Sequence, residues 1–299
     1  MAIRLGPNQY GKAEVHLVRV NRDTPRHEIR DLTVSTSLRG RFDAAHTRGD
    51  QSDVLPTDTQ KNTVFALAER DGVGPIEDFA LRLADHLIAG VPAVEGARVE
   101  VGEQTWERIE NHDHSFVRSG RGVRTTVVNV DGAGADREAQ VVSGIKDLTV
   151  LKSTGSEFHG FFKDEFTTLA ETDDRILATS LVSHWRYDAV LVTSGDVDWD
   201  KAHGAIVALQ LKRFADIHSY ALQQSLYGMG KAVLEQHPEV AEIRMSAPNK
   251  HHFLVDLSPF GMDNPGEVFY AADRPYGLIE ASVVRDDASD PGNAWHGLP

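Results

Sequence analysis

Met245-Ser246-Ala247-Pro248-Asn249-Lys250-His251-His252-Phe253 reads as a strand whose far end turns polar. Side chains on a strand repeat every two residues, so Asn249, His251, Phe253 and Val255 share one face. Phe253, Val255 and Leu257 on that face are suited to a core. Asn249 and His251 at its mouth are costly to bury unless a polar group meets them. A ligand would satisfy them, and so would a buried hydrogen-bond partner.

Outward from this stretch the chain follows a regular order. Residues 10–20 alternate like a strand, with Ala13, Val15 and Leu17 opposite Glu14 and His16. Residues 28–38 read as a second strand. A helix begins after Thr57-Asp58 and carries Val64, Leu67 and Ala68. Pro75 opens another, where Ile76, Phe79, Ala80, Leu83 and Leu87 keep the spacing of an amphipathic stripe and Gly90 supplies the stop. Strand-like runs follow near 94–107 and 114–130, the second rich in Val and Thr. The Gly-rich patch Asp131-Gly132-Ala133-Gly134-Ala135-Asp136 then interrupts the chain.

Beyond that patch the order recurs. Strands are expected near 139–152 and 178–193, helices near 200–215 and 219–236, and strands again near 240–257 and 276–285, with a short extra helix around 161–171. The pattern predicts an α+β chain of two tandem ββααββ units, residues 1–136 and 137–299, each an antiparallel sheet with two helices on one face. Sheet edges must be covered or paired. Two units side by side extend one sheet, and further subunits closing it into a barrel would remove its edges, so an oligomer is the natural expectation.

Composition narrows the chemistry. The 299 residues include no cysteine, which excludes disulfides, thiolate nucleophiles and Cys-based zinc or iron–sulfur sites, and mildly favours a reducing compartment. A net charge of −14 argues against nucleic acid as the main partner, since phosphate binding needs a basic surface. No apolar run approaches the roughly 18–20 residues of a membrane span. The first residues lack the apolar region of a signal peptide, and Gly297-Leu298-Pro299 is not a peroxisomal tripeptide, so a cytoplasmic location is expected. Walker, G-x-G-x-x-G, G-x-S-x-G and H-E-x-x-H motifs are missing from the sequence.

The residues that could carry chemistry each have a plainer reading. Thr57-Asp58-Thr59-Gln60 matches a capping box, yet a helix N-terminus also offers N–H groups and a hydroxyl to an anionic or carbonyl-rich ligand. Lys12 after Tyr10-Gly11 is either a solvated charge or a poised amine in a relay. Arg175 could pair locally within Glu171-Thr172-Asp173-Asp174, or grip a flat anion with its planar fork. Gln223 is a surface amide or a reader of a heterocycle edge, and Phe158 a core residue or a stacking platform. His112-Asp113-His114, placed on a strand, would put two imidazoles on one face for a metal.

Taken together, the segments resemble the urate oxidase family. The similarity runs from Tyr10-Gly11-Lys12 to Tyr276-Gly277-Leu278-Ile279. It is densest at Thr57-Asp58-Thr59-Gln60-Lys61-Asn62-Thr63, Leu151-Lys152-Ser153-Thr154, Phe161-Phe162-Lys163-Asp164-Glu165-Phe166-Thr167-Thr168-Leu169, Asp174-Arg175-Ile176-Leu177 and Pro248-Asn249-Lys250-His251. The resemblance implies tandem tunnelling-fold (T-fold) units, a homotetramer with active sites between subunits, and oxidation of urate by dioxygen to 5-hydroxyisourate and hydrogen peroxide, without metal or organic cofactor. It implies that Arg175 and Gln223 clamp the purine anion, that Phe158 stacks on it, and that Leu169 and Leu222 form an apolar wall. Asp58 and the Thr57 backbone would meet the far edge of the ligand from a neighbouring subunit. Lys12, Thr57 and His251 would form a proton relay, and Asn249 with Thr57 would hold dioxygen or water. Leu222 departs from the valine common in the family, a conservative change. Rival readings are a metal-dependent T-fold enzyme on a pterin-like substrate, using His112 and His114, and a non-catalytic purine-binding oligomer.

Overall fold

Branched side chains suit a pleated, half-buried surface, and the Val- and Thr-rich runs form strands accordingly. In the computed structural model, which describes residues 3–298, they build a single antiparallel sheet of eight strands. These are β1 (Tyr10–Asn21), β2 (Glu28–Gly40), β3 (Val94–Arg108), β4 (Phe116–Asp131), β5 (Glu138–Lys152), β6 (Leu177–Tyr187), β7 (Val240–Leu254) and β8 (Phe269–Val284). Spatial order repeats chain order, so β1 and β8 are the two edges. Met1, Ala2 and Pro299, which the reading of the termini included, lie outside the described residues.

Three helices follow β2: α1 (Asp43–Arg48), α2 (Thr57–Arg70) and α3 (Ile76–Gly90). Three more follow β6: α4 (Ala189–Ser194), α5 (Trp199–Asp216) and α6 (Leu222–Gln236). The core lies between the long helices and one face of the sheet. The α3 stripe buries Ile76, Phe79, Ala80, Leu83, Ala84 and Leu87 against β3 and β4, while α6 packs Leu226, Met229 and Val233 over β7 and β8. Truncating a fully buried ring such as Phe79 to alanine would cost about 3–5 kcal/mol, from lost burial and the cavity left behind.

At the centre of the sheet a charge is buried with its partners. Glu77, fully buried at the start of α3, accepts from Ser143 at 2.6 Å and from Arg124 of β4 at 2.7 Å. Arg124 also reaches Asp200 of α5 at 2.5 Å. One cation thereby ties both halves of the helix layer to the sheet.

The opposite face carries polar side chains, and part of it is covered by the last described residues. The Trp295 indole donates to Glu242 at 2.9 Å, and the Arg244 guanidinium lies 4.0 Å from its ring centroid. Arg98 donates to the His296 carbonyl at 3.0 Å, Asn129 to that of Asn293 at 3.1 Å, and Arg186 to that of Ser289 at 2.9 Å. Ala294 and Trp295 are buried with Val142. Residues 289–298 therefore form a strap tied to side chains of β3, β4, β6 and β7.

Several expectations need correction. The expected strand at 178–193 stops at Tyr187, because Asp188 accepts the Val190 N–H at 2.9 Å and starts α4. The short helices α1 and α4 were not expected. No helix forms at 161–171; Asp164 accepts both the Phe166 N–H, at 3.0 Å, and the Thr167 hydroxyl, at 2.8 Å, which favours a turn over a helix. Strand β8 begins at Phe269 rather than near 276. Ala13 is exposed although Val15 and Leu17 are buried, because a bulge between Lys12 and Val15, with Glu14 at φ 55°, resets the alternation. Phe253 shares a face with His251, their rings 5.7 Å apart, but it runs past the covering helices and is 52% exposed rather than core. His112 and His114 sit in an exposed turn between β3 and β4, not on a strand, with rings edge to face at 4.5 Å.

Candidate active site

Several of the residues singled out from the sequence form two clusters at opposite ends of the sheet. The first surrounds α2. Gly11 lets β1 approach β2 so closely that a Cβ there would lie 1.7 Å from the Thr36 carbonyl oxygen, and Lys12 follows it opposite Thr36. The capping box does not form. Pro56 precedes the first turn and no side chain caps it; Gln60 instead turns inward and accepts from the Thr36 hydroxyl at 2.8 Å. The Thr57 hydroxyl, exposed at the start of α2, has no partner among the described residues. Asp58 accepts from Lys61 at 2.5 Å and from Asn62 at 3.0 Å. The Lys61 bond and charge, and more weakly the charge of Lys12, hold its carboxyl below the usual range.

The second cluster is built on the segment between β5 and β6. This segment is pinned to the start of α6: Glu157 donates its N–H to the Ser219 carbonyl at 2.9 Å, and Ser219 returns one to Gly155 at 2.9 Å. Phe158 and Thr172 exchange backbone bonds of 2.8 and 3.0 Å, forming a miniature antiparallel ladder. The Arg175 guanidinium lies 4.9 Å from the Phe158 ring centroid, with Phe161 stacked on that ring at 4.8 Å. Arg175 donates its Nε to Ser156 at 3.3 Å, and among the described residues no carboxylate lies within ion-pair distance of it. Asp174, its sequence neighbour, is occupied by the Thr154 hydroxyl at 2.8 Å and the Gly155 N–H at 3.0 Å. Burial of the half-exposed guanidinium pulls its pKa below the ordinary arginine value. A cation that has shed part of its water without gaining a countercharge is a receptor for a flat anion.

Gln223 is exposed in the first turn of α6, and Leu169 is 57% exposed on the same loop as Phe158. Leu222 is 3% exposed and belongs to the main core. Asn249 on β7 lies between Thr179 of β6 and Gly277 of β8, and the buried Thr179 hydroxyl has no hydrogen-bond partner. His251 follows beyond an irregularity, where residues 273–276 of β8 lie opposite Lys250 alone. From β1 to β7 is six strand spacings, roughly 30 Å along the sheet. The structure thus groups Phe158 with Arg175, and Lys12 with Thr57 and Asp58, and separates the two groups.

Sequence reasoning missed Ser156 and Thr36, the residues that fix Arg175 and Gln60, and read Asp174 as a local partner of Arg175 although it is engaged by Thr154 and Gly155. The uncharged ones carry no local signal, since their partners are 19 or more residues away.

Comparison with known proteins bears directly on these clusters. A sequence model described as uricase matches residues 8–129 and 141–280. The uricase of Arthrobacter globiformis is 55% identical over 294 residues, covering 98% of this chain and 94% of that protein. The uricase of Cyberlindnera jadinii is 36% identical over 302 residues, 96% of this chain and 99% of its own. The crystal structure of the Arthrobacter enzyme superposes with a TM-score of 0.92 over 99% of both chains. A uricase from Bacillus fastidious, at 24% identity, shares the fold with a TM-score of 0.80 over 94% of both chains. These likenesses give no ground for the pterin-like or non-catalytic alternatives. Since they span nearly the whole of both chains and carry the same T-fold sheet with its helices on one face, the chain belongs to the uricase family.

Proposed function

We propose that this chain oxidises urate with dioxygen to 5-hydroxyisourate and hydrogen peroxide, with no metal or organic cofactor. The observation that carries this reading is the half-buried Arg175 guanidinium without a countercharge, lying over Phe158. Urate, dioxygen and water give the two products: the purine loses two electrons, dioxygen gains them, and water supplies the new hydroxyl oxygen. The purine anion is its own reductant, so the protein has only to orient it, place dioxygen over the ring and move protons. Arg175 and Gln223 clamp the anion, Phe158 stacks on it, and Leu169 lines the apolar side with the small surface that Leu222 leaves open. Asn249 and Thr57 hold dioxygen or water, and Lys12, Thr57 and His251 relay protons.

The two clusters supply complementary halves of this chemistry. A complete site on this reading joins the Arg175 end of one chain to the Thr57–Asp58 end of another. The sheet edges support such an arrangement, since β8 exposes Tyr270, Tyr276, Leu278 and Val284, which a paired neighbour would cover. A homotetramer of chains, each made of the units 1–136 and 137–299, closes the edges into a tunnel. A cytoplasmic location belongs to the same reading; the structure itself adds that no helix among the described residues is long and apolar enough to cross a membrane.

The test is loss of urate's ultraviolet absorbance in air, with a strong chelator present and peroxide followed in parallel. Matching loss and peroxide are expected. Urate loss that requires an added divalent metal, or binding without oxygen consumption, would overturn the reading.

A further inference from the structure

The ladder that carries Phe158 has a second face. Phe158 pairs with Thr172 in antiparallel register, which places Glu157 opposite Asp173 and His159 opposite Glu171. Neighbours on a strand point to opposite sides, so Glu157, His159 and Asp173 turn away from the ring that Arg175 covers. Their ligand atoms, one from each side chain, all lie within 4.8 Å of one another, and among the described residues no other group of three or more His, Asp or Glu meets that criterion. His159 Nε2 already touches one carboxylate oxygen of Glu157, and His218 Nε2 holds the other at 2.6 Å.

We propose that Glu157, His159 and Asp173 bind a first-row divalent transition metal ion, with zinc the natural probe, and that His218 orients Glu157 from outside the coordination shell. An imidazole with two carboxylates suits such a cation, and a hydrogen-bonded outer partner that fixes a ligand oxygen is the usual companion of such sites. On binding, His159 exchanges its contact with Glu157 for the metal through its neutral ring, and water fills the remaining positions. The metal cross-links the strands of the ladder whose other face holds Phe158, and Arg175 follows Asp173 by two residues. It lies on the wrong face to touch the purine. Its effect on urate, which rests on the proposed function, is to stiffen the clamp, while its binding does not depend on that function.

Isothermal titration of zinc chloride into chelator-stripped, dialysed full-length protein tests the site. Wild type should bind about one zinc per chain. His159→Ala and Asp173→Asn should each weaken that binding more than about a hundredfold, and His218→Ala about tenfold, the range seen for outer-shell partners. His112→Ala should bind as wild type does. Melting of the metal-free variants at the wild-type temperature would show that they fold, as their exposed positions imply. Zinc should raise the wild-type melting temperature and leave that of His159→Ala unchanged. Absence of saturable binding in wild type, unchanged binding in His159→Ala, or loss of binding in His112→Ala would overturn the proposal. None of these readouts requires turnover, so failure of the urate reading would leave them intact.

Discussion

Two arginines, one at the centre of the sheet and one at its end, are both withdrawn from water and are treated in opposite ways. Arg124 has a carboxylate on either side, Glu77 from α3 and Asp200 from α5, with Ser143 completing the shell of Glu77. Arg175 has an aromatic face and a single serine oxygen. A cation with its charges met inside the fold has nothing left to offer a ligand, and it holds the fold together. A cation left unmet costs some stability and keeps its charge for something that arrives later.

The largest effect should come from breaking the satisfied pair. Glu77→Ala would leave Arg124 without its most buried partner, and denaturant unfolding should show a loss of about 3–5 kcal/mol. If the loss were under about 1 kcal/mol, the central pair would not differ from a surface one, and the contrast between the arginines would fail.

Acid tests the same central region. His203 of α5, part-buried near Arg124, has its pKa pulled down to about 4, first by desolvation and then by the charge of Arg124. His184 on β6 is pulled down to about 4 by burial and by Lys146. Each takes up its proton less readily folded than unfolded. Their neutral forms therefore cost nothing above the unfolded pKa of about 6.5, and stability falls as pH drops from there towards 4, by up to about 3 kcal/mol for each. Urea midpoints measured across that window should decline, and His203→Gln should flatten the decline. An unchanged slope would mean that neither imidazole is kept neutral.

Arg175→Ala should do the reverse of Glu77→Ala. Melting should be unchanged or slightly raised, while urate affinity falls by about 2–3 kcal/mol, as expected for a lost charge-assisted partner. Wild-type affinity would remove Arg175 from the clamp. The smallest effect belongs to the other end of the sheet, where Thr57→Ala should lower turnover about tenfold, roughly 1.4 kcal/mol, with little change in substrate affinity or melting. Unchanged turnover would take Thr57 out of the relay.

How far the sequence could be read follows from the range of the interactions involved. The α3 stripe and the alternation of Val15 and Leu17 are set by burial against one surface, and such periodicity is visible locally. Gln60 was legible as a polar residue near a helix start, but its partner Thr36 lies on β2, so the helix-cap reading chose the wrong donor. Phe162, Phe166 and Leu169 have helical spacing, yet all three are exposed, and Asp164 diverts the backbone into a turn. Ala288 to Pro299 has the Asp, Pro and Gly content of a loose tail, yet residues 289–298 are fastened. What fastens it is one tryptophan and the carbonyls of its own backbone, which composition does not register. Within the candidate site, the family resemblance singled out Arg175 and Phe158, where residue type alone left a local ion pair and a core ring open. The absence of a carboxylate beside Arg175 had to come from the fold, because Asp174 is adjacent in sequence and engaged elsewhere.

That strap also has a bearing on how the chain is made. Arg98 meets the His296 carbonyl across 198 positions of sequence, and Asn129 meets Asn293 across 164. Contacts of such long range form late, since the intervening chain must first be ordered. On the ribosome, all eight strands emerge before Trp295 does. A nascent sheet therefore waits with Arg98, Asn129, Arg186 and Glu242 still open to water, and the seating of Trp295 over Val142 follows the assembly of the strands it covers.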